Sequence, residues 1–176
     1  MSRVYKVIVT GPFNSGKTAF ISTISDIAVV TTERKITTED RGIKAETTVA
    51  MDYGRVELDG KVLHLHGTPG QARFDFMWEI LATEMNGFIV LADSTDPPSF
   101  PEVAELIELF SSFQAVPYLV AANKTDLDGA ASLSEVRRGT KAGADITVMP
   151  CVATQKSSVR QVLLQIIELI EKTAPS

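Results

Sequence analysis

The chain has 176 residues, of which 44% are hydrophobic, and this is enough to bury one sizeable core. Its single cysteine excludes an internal disulfide framework, and the formal net charge of −5 argues against a nucleic-acid-binding face. The sequence shows no signal peptide, long apolar tract or lipidation motif, so we expect one cytoplasmic domain, residues 1–176, without a membrane anchor of its own.

The first predicted element is an apolar run, VYKVIVT (4–10), typical of a strand buried on both faces of a parallel sheet. It leads into GPFNSGKT (11–18), which fits the phosphate-loop pattern GxxxxGKT between a strand and a helix. Backbone N–H groups of such a loop surround a phosphate, the lysine reaches the β- and γ-phosphates, and the threonine hydroxyl binds Mg²⁺. The predicted phosphate-binding residues are Gly11, Asn14, Ser15, Gly16, Lys17 and Thr18, with Thr18 also a metal ligand.

The next stretch, residues 31–48, is polar and without a clear period, so it is predicted to be a long loop. Loops of that length in a compact domain are usually functional. Residues 48–66 hold two strand-like runs joined by Asp59-Gly60, a two-residue turn signal, and they predict a β-hairpin.

The hairpin ends at a pair of histidines and a run of large apolar residues. His64 and His66 share one strand face, and without a third ligand we interpret them as half-buried, hydrogen-bonded side chains. Four large apolar residues in five positions exceed what one helix face buries, so two are expected in the core and the others on a partner-binding surface. These four residues are Phe74, Phe76, Met77 and Trp78.

The second half of the chain alternates between strands and helices. Strands are predicted at 87–93, 117–123 and 146–152, and helices at 99–112 and 158–172. Ser99 and Glu102 form a capping-box pattern at the start of the first of these helices. The alternation predicts an α/β fold with a doubly wound, mostly parallel sheet, to which the hairpin adds an antiparallel strand.

A second nucleotide signal, NKTD, follows the strand at 117–123 and contains Asn123, Lys124 and Asp126. An aspartate at this place can accept hydrogen bonds from the N1–H and 2-amino groups of guanine, with the lysine stem along the base. Adenine has neither donor, so a carboxylate left without a partner would reject it. The motif therefore disfavours a P-loop ATPase or kinase.

With these motifs in this order, the chain resembles the Ras-superfamily small GTPases over essentially its full length. The resemblance implies a P-loop NTPase fold with a six-stranded sheet, GTP and GDP as ligands, and Mg²⁺ as the cofactor. It also assigns the PCVAT segment (150–154) to a guanine-contacting loop, in which the backbone N–H of Ala153 would read the guanine O6. The string GTPGQARFDFMW is similar to a bacterial and archaeal branch, the polarity-, gliding-motility- and conservon-type GTPases.

The family closes a threonine over Mg²⁺ and the γ-phosphate. Thr48, 19 residues before Gly67, has the spacing of the Arf-type members, and Thr47 is the alternative. The backbone N–H of Gly70 would sense the γ-phosphate, and Gln71 would orient the attacking water.

Gly67 stands where the family pattern DxxGQ has an aspartate that holds a water on Mg²⁺. Losing such a group costs about 10–100-fold in metal affinity. Asp52 and Asp93 are carboxylates that could compensate, but their spacing along the chain does not choose between them. Because the branch named above typically lacks this aspartate, we interpret Gly67 as a feature of the branch.

The third residue of the phosphate loop is Phe13, where Ras-type loops have glycine, and its ring would obstruct an arginine inserted by a partner. An arginine supplied by the chain itself is the alternative, with Arg41 and Arg34 as the candidates and Arg73 as a weaker third. We therefore predict a guanine-nucleotide switch with slow hydrolysis, or else a binding scaffold with negligible hydrolysis. The predicted catalytic residues are Gln71, Lys17 and Arg41, and an effector and a Roadblock-type regulator are expected at residues 31–50 and 70–80.

Overall fold

The computed structural model describes the backbone of residues 3–40, 43–68 and 75–173, and within these ranges the side chains outside 31–51 and 75–77. The strands are β1 (Arg3–Thr10), β2 (Val30–Asp40), β3 (Ile43–Leu58), β4 (Lys61–Gly67), β5 (Gly87–Asp93), β6 (Tyr118–Asn123) and β7 (Thr147–Cys151). The helices are α1 (Lys17–Ile24), α2 (Asp75–Leu81), α3 (Phe100–Phe113), α4 (Leu133–Gly139) and α5 (Lys156–Thr173). None of the helices within the described ranges is long and apolar enough to cross a membrane.

The strands form one mixed sheet in the order β2-β3-β4-β1-β5-β6-β7. Strands β4, β1, β5, β6 and β7 are parallel, and β3 runs antiparallel to β4. The turn between β3 and β4 uses Asp59 and Gly60 with φ values of 49° and 78°, the left-handed geometry that favours these residue types in tight hairpins. The predicted α/β class and its six strands are therefore confirmed.

A seventh strand, β2, extends the sheet where the sequence predicted a loop. This prediction was wrong, because residues 30–40 pair antiparallel with residues 43–53 of β3. The stretch is rich in β-branched residues, which favour strands, but its charges at Glu33, Arg34 and Lys35 hide the alternation that a half-buried strand normally shows. Charged residues are common on edge strands, since they discourage pairing with other chains.

Two hydrophobic clusters cover the two faces of the sheet. Val7 and Val9 of β1 point to the first cluster, which α1 and α5 cover, and Ile8 between them points to the second, which α2, α3 and α4 cover. This alternation shows that β1 is buried on both faces. Because β4, β1, β5, β6 and β7 are parallel, the loops that follow them lie at the same end of the sheet.

The start of α3 differs from the prediction. Ser99 has helical φ and ψ values of −84° and −8°, and its hydroxyl donates to the Asp96 carbonyl at 2.7 Å, so the predicted capping box is absent there. The reason is the 3-10 turn Pro97–Ser99, which leads directly into the helix. A capping box occurs instead at α4, where the Ser132 hydroxyl accepts from the Glu135 N–H at 3.2 Å and the Glu135 carboxylate accepts from the Ser132 N–H.

Candidate nucleotide-binding site

The loop between β1 and α1 depends on two glycines. Gly11 has a φ of 155°, and a Cβ atom there would lie 2.7 Å from the Leu91 carbonyl oxygen. Gly16 has a φ of 108°, and a Cβ atom there would collide with the side-chain amide of Asn123. Only glycine fits both the backbone conformation and the space at these positions. The loop therefore passes close to β5 and β6 and ends at the N-terminus of α1.

Lys17, the first residue of α1, turns back into this loop. Its ammonium donates to the carbonyl oxygens of Gly11 at 2.6 Å and Pro12 at 2.9 Å. Burial lowers the pKa of Lys17 to about 8, although Glu102 and Asp52 act in the opposite direction. A desolvated ammonium inside a glycine-rich loop suits a strongly anionic ligand, because a phosphate would replace two neutral carbonyls as its partner.

The neighbouring residue, Thr18, contacts Asp52 of β3. Its hydroxyl donates to the Asp52 carboxylate at 2.7 Å. A Cβ atom added to Gly67 at the end of β4 would lie 3.4 Å from the Asp52 Cβ and 3.0 Å from the Ile21 Cδ1. The Asp52 side chain therefore lies against the position where the family pattern has its aspartate.

Asp93, the other carboxylate considered from the sequence, is at the end of β5. Val9 of β1 pairs with Gly67 of β4 on one side and with Ile89 of β5 on the other, so Asp93 lies two strand spacings to the side of Gly67 and four residues further along, about 16 Å away. Of the two carboxylates, Asp52 is the one that contacts Thr18.

Asn123 connects three segments at the other side of the loop. Its side-chain amide donates to the Ser15 carbonyl at 2.8 Å, its side-chain oxygen accepts from the Ala153 N–H at 2.9 Å, and its backbone carbonyl accepts from the Ser94 N–H at 3.0 Å. Both NKTD and the PCVAT segment are thereby fixed to the phosphate loop. The Ala153 N–H, predicted to read guanine O6, is donated to Asn123 in this structure.

A cavity of about 220 Å³ lies between these segments. It is lined by Gly16, Ala19, Asn123, Lys124, Asp126, Leu127, Val152, Ala153 and Thr154. The predicted guanine-binding residues Asn123, Lys124, Asp126 and Ala153 thus meet at one place, next to the phosphate loop. The pocket is predominantly apolar with a carboxylate at its rim, which suits a flat base that presents N–H groups.

Other residues singled out from the sequence lie away from this cavity. His64 is half-buried and its Nδ1 hydrogen-bonds to the Tyr53 hydroxyl, as expected of a structural histidine, while the ring of His66 packs against Tyr53 at 5.1 Å. Burial, helped by Lys6 and His64, lowers the pKa of His66 to about 4. Among the described residues, no group of three histidines, cysteines or acidic residues could hold a metal ion.

Trp78 and Phe13 differ sharply in exposure. Trp78 is buried and stacks against Phe110 with 6.0 Å between ring centroids, so it belongs to the core. The ring of Phe13 is 70% exposed, although it is part of the phosphate loop. An exposed aromatic ring at this place is consistent with the predicted obstruction of an incoming side chain.

Several predicted residues fall outside the described part of the chain. Arg41, Gly70, Gln71, Arg73 and Phe74 lie outside the described backbone, and the side chains of Arg34, Thr47, Thr48, Phe76 and Met77 lie outside the described side chains. The backbone of Thr48 is part of β3 and pairs with Lys35. The catalytic and γ-phosphate-sensing assignments among these residues stay predictions.

Comparison with known proteins agrees with the two nucleotide motifs. Residues 6–172 match the model of the Ras family. An uncharacterised protein of Methanocaldococcus jannaschii is 36% identical over 132 residues, which cover 74% of this chain and 76% of that protein. Human ADP-ribosylation factor-related protein 1 is 26% identical over 169 residues, covering 89% of this chain and 80% of that protein. The Saccharomyces cerevisiae ADP-ribosylation factor-like protein 3 is 22% identical, covering 98% of this chain and 88% of that protein.

Proposed function

Because the chain belongs to the Ras family and is a small GTPase, we propose that it is a switch that binds GTP and GDP with Mg²⁺ and hydrolyses GTP slowly. The observation that carries this proposal is the bond from the Asn123 amide to the Ser15 carbonyl at 2.8 Å, which joins the guanine motif to the phosphate loop. A base and a phosphate chain on one ligand need both motifs at such a short separation. The archaeal relative and the GTPGQ string support the prokaryotic branch, and we expect the protein to act in the cytoplasm.

The donor set around Thr18 fits Mg²⁺. The Thr18 hydroxyl and the Asp52 carboxylate lie 2.7 Å apart, and hard oxygen ligands of this kind are what the ion prefers. Thr18 would bind the ion directly, and Asp52 would hold one of its waters, in place of the aspartate that Gly67 lacks. When bound, Mg²⁺ supplies neutralisation of phosphate charge.

The proposed switch involves the β2–β3 pair. Thr48 lies four residues before Asp52 in β3, a distance along the strand of about 13 Å. For Thr48, or its alternative Thr47, to close over the γ-phosphate, this end of β3 would have to move toward the phosphate loop, alone or together with β2. Binding of GTP would therefore rearrange residues 31–50 together with the segment around Gly70, and these surfaces would report the nucleotide state to an effector.

Hydrolysis needs a positioned water and charge stabilisation at the γ-phosphate. We assign the first role to Gln71 and the second to Lys17 and to an arginine of this chain, Arg41. A Roadblock-type regulator at residues 31–50 and 70–80 would raise the rate by repositioning these loops without contributing an arginine. The exposed Phe13 residue supports this part of the proposal, because a ring at that position of the phosphate loop would obstruct an inserted arginine.

The alternative is a scaffold that binds guanine nucleotides without useful turnover. Single-turnover hydrolysis of radiolabelled GTP distinguishes the two, followed in the wild type, Gln71→Leu and Arg41→Ala. We expect slow turnover in the wild type and a loss of at least about 10-fold in each variant, with Arg138→Ala, an exposed arginine on α4, as a matched surface control. Wild-type turnover no faster than that of Gln71→Leu would favour the scaffold.

A further inference from the structure

Asp93, the last residue of β5, belongs to none of the nucleotide motifs. Its register partner across the sheet is Asn123, the last residue of β6, so the carboxyl ends of these two strands meet beside the cavity. The side chain of Asp93 is only 13% exposed. A carboxylate at such a place is conspicuous, because little-exposed charges are kept only where they have defined partners.

Both carboxylate oxygens of Asp93 are used. Oδ1 accepts from the Thr95 N–H at 2.9 Å and from the Thr95 hydroxyl at 2.6 Å, while Oδ2 accepts from the Lys124 ammonium at 2.8 Å. Burial opposes ionisation, but the hydrogen bonds from Lys124 and Thr95 outweigh it and hold the pKa of Asp93 below its usual range. Thr95 thus orients the carboxylate of Asp93 toward the ammonium of Lys124.

Lys124 is held at both its backbone and its ammonium. It has a φ of 65°, a left-handed conformation that is uncommon for a residue with a Cβ atom. Its ammonium also donates to the Asn14 carbonyl at 3.0 Å, so the side chain spans from NKTD to the phosphate loop. Lysine has more rotamer freedom than most side chains, and these partners restrict it before any ligand arrives.

We propose that Asp93 is a positioning residue for nucleotide binding, which holds the Lys124 stem in place as a wall of the base pocket. The inference rests on the proposed function, since it assigns Asp93 a role within that site. Asp93 itself touches neither base nor phosphate, and it acts through the lysine. Asp126 reads the edge of the base, whereas the Lys124 stem packs on its face, so Asp93 affects affinity without affecting the choice among purines.

The first test is release of a fluorescent GDP analogue from Asp93→Asn. Asparagine keeps an acceptor for Thr95 but removes the charge that attracts Lys124. Because a hydrogen bond to a charged group is lost, we expect release about 10-fold faster. The affinities of the variant for GDP and for IDP should fall by the same factor. Asp59→Asn is the matched control, because it removes an exposed ion pair with Arg160 far from the pocket and should leave release unchanged.

A double-mutant cycle separates positioning from general loss of structure. Lys124→Met keeps the length of the stem without its charge, so Asp93→Asn added to it should change release by less than about twofold. Equal effects of Asp93→Asn with and without Lys124→Met would overturn the proposal. If Asp93→Asn does not fold, Thr95→Val takes its place in the same cycle. This variant keeps the charge of Asp93 but removes the hydroxyl that orients its carboxylate. We expect it to release the nucleotide about threefold faster, and only when Lys124 is present.

The outcomes also distinguish this inference from the proposed function. A wild-type protein that binds neither GDP nor GTP would remove the proposed function and the inference together. A wild-type protein that binds guanine nucleotides, with Asp93→Asn indistinguishable from it, would remove the inference alone.

Discussion

The two halves of the candidate site are held in different ways. On the base side, NKTD, the PCVAT segment and the phosphate loop are bonded to one another through Asn123, and the cavity between them is open. On the phosphate side, the groups predicted to hold the ligand are bonded to the protein itself, with Lys17 on two loop carbonyls and Thr18 on Asp52. Apart from the Ala153 N–H, which already donates to Asn123, the base would therefore enter a preformed pocket, whereas phosphate and Mg²⁺ would have to displace the bonds of both Lys17 and Thr18.

This difference predicts how nucleotide affinity should respond to substitution. Changes on the base side should weaken the binding of every nucleotide state equally, with or without Mg²⁺, since the groups there contact neither the ion nor the γ-phosphate. Changes on the phosphate side should depend on Mg²⁺ and on the γ-phosphate. The following predictions test that division, starting from the largest effect.

The largest effect is expected from Asp126→Asn. The amide reverses the match to the N1–H and 2-amino groups of guanine, so affinity for GTP should fall by at least about 10²-fold and xanthosine triphosphate should become a ligand. Competition binding with GTP, ATP and XTP measures this, and the same loss should appear in EDTA. If the GTP preference of the variant is unchanged, the assignment of Asp126 is wrong. A loss that appears only with Mg²⁺ would contradict the division between the two halves.

The phosphate side is tested by Asp52→Asn. If Asp52 holds a water on Mg²⁺, the variant should need about 10–100-fold more Mg²⁺ to retain GDP, while GDP affinity in EDTA stays as in the wild type. The matched control is Asp145→Asn, which changes an exposed carboxylate just before the start of β7, the strand at the far side of the sheet from β3. Nucleotide release followed across a Mg²⁺ titration gives the result.

A swap makes the same test more specific. Gly67→Asp alone should raise the affinity for Mg²⁺ little. Its Cβ atom would lie 3.0 Å from the Ile21 Cδ1, and its carboxylate would add a second negative charge beside Asp52. Combined with Asp52→Asn, the aspartate at position 67 should recover most of the lost Mg²⁺ affinity. Failure of the pair to recover, with both proteins folded, would show that Asp52 does not stand in for the missing carboxylate.

The base side was the easier half to predict from the sequence. Its residues belong to short motifs, and motifs at the ends of parallel strands meet at one edge of the sheet regardless of how long the intervening segments are. Asn123, Lys124 and Ala153 line one cavity for that reason.

The phosphate side could not be predicted in the same way. The contact between Thr18 and Asp52 joins residues 34 positions apart, and it depends on the register of β3. That register involves β2, whose threonines and charges gave no burial pattern to recognise. The bond between Asp93 and Lys124 has the same origin, since the β5–β6 register decides it and no motif contains Asp93.

The smallest effect is expected at Cys151, the single cysteine of the chain, which pairs with Asn123 across β6 and β7. The thiol is 1% exposed, and burial raises its pKa to about 11, although a hydrogen bond with Ser158 opposes this. A pKa two units above the ordinary value leaves about 100-fold less thiolate at pH 8, and the labelling rate should rise about 10-fold per pH unit until it levels off near pH 11.

Removing Mg²⁺ from the GDP-bound protein should disturb the phosphate side but change alkylation of Cys151 by less than about twofold, because the base side is held by bonds that do not involve the ion. Mass spectrometry of iodoacetamide-treated protein measures the rate, with Cys151→Ser as the background. Labelling that accelerates together with nucleotide release would mean that the two halves open as one unit, and the base pocket would then not be preformed.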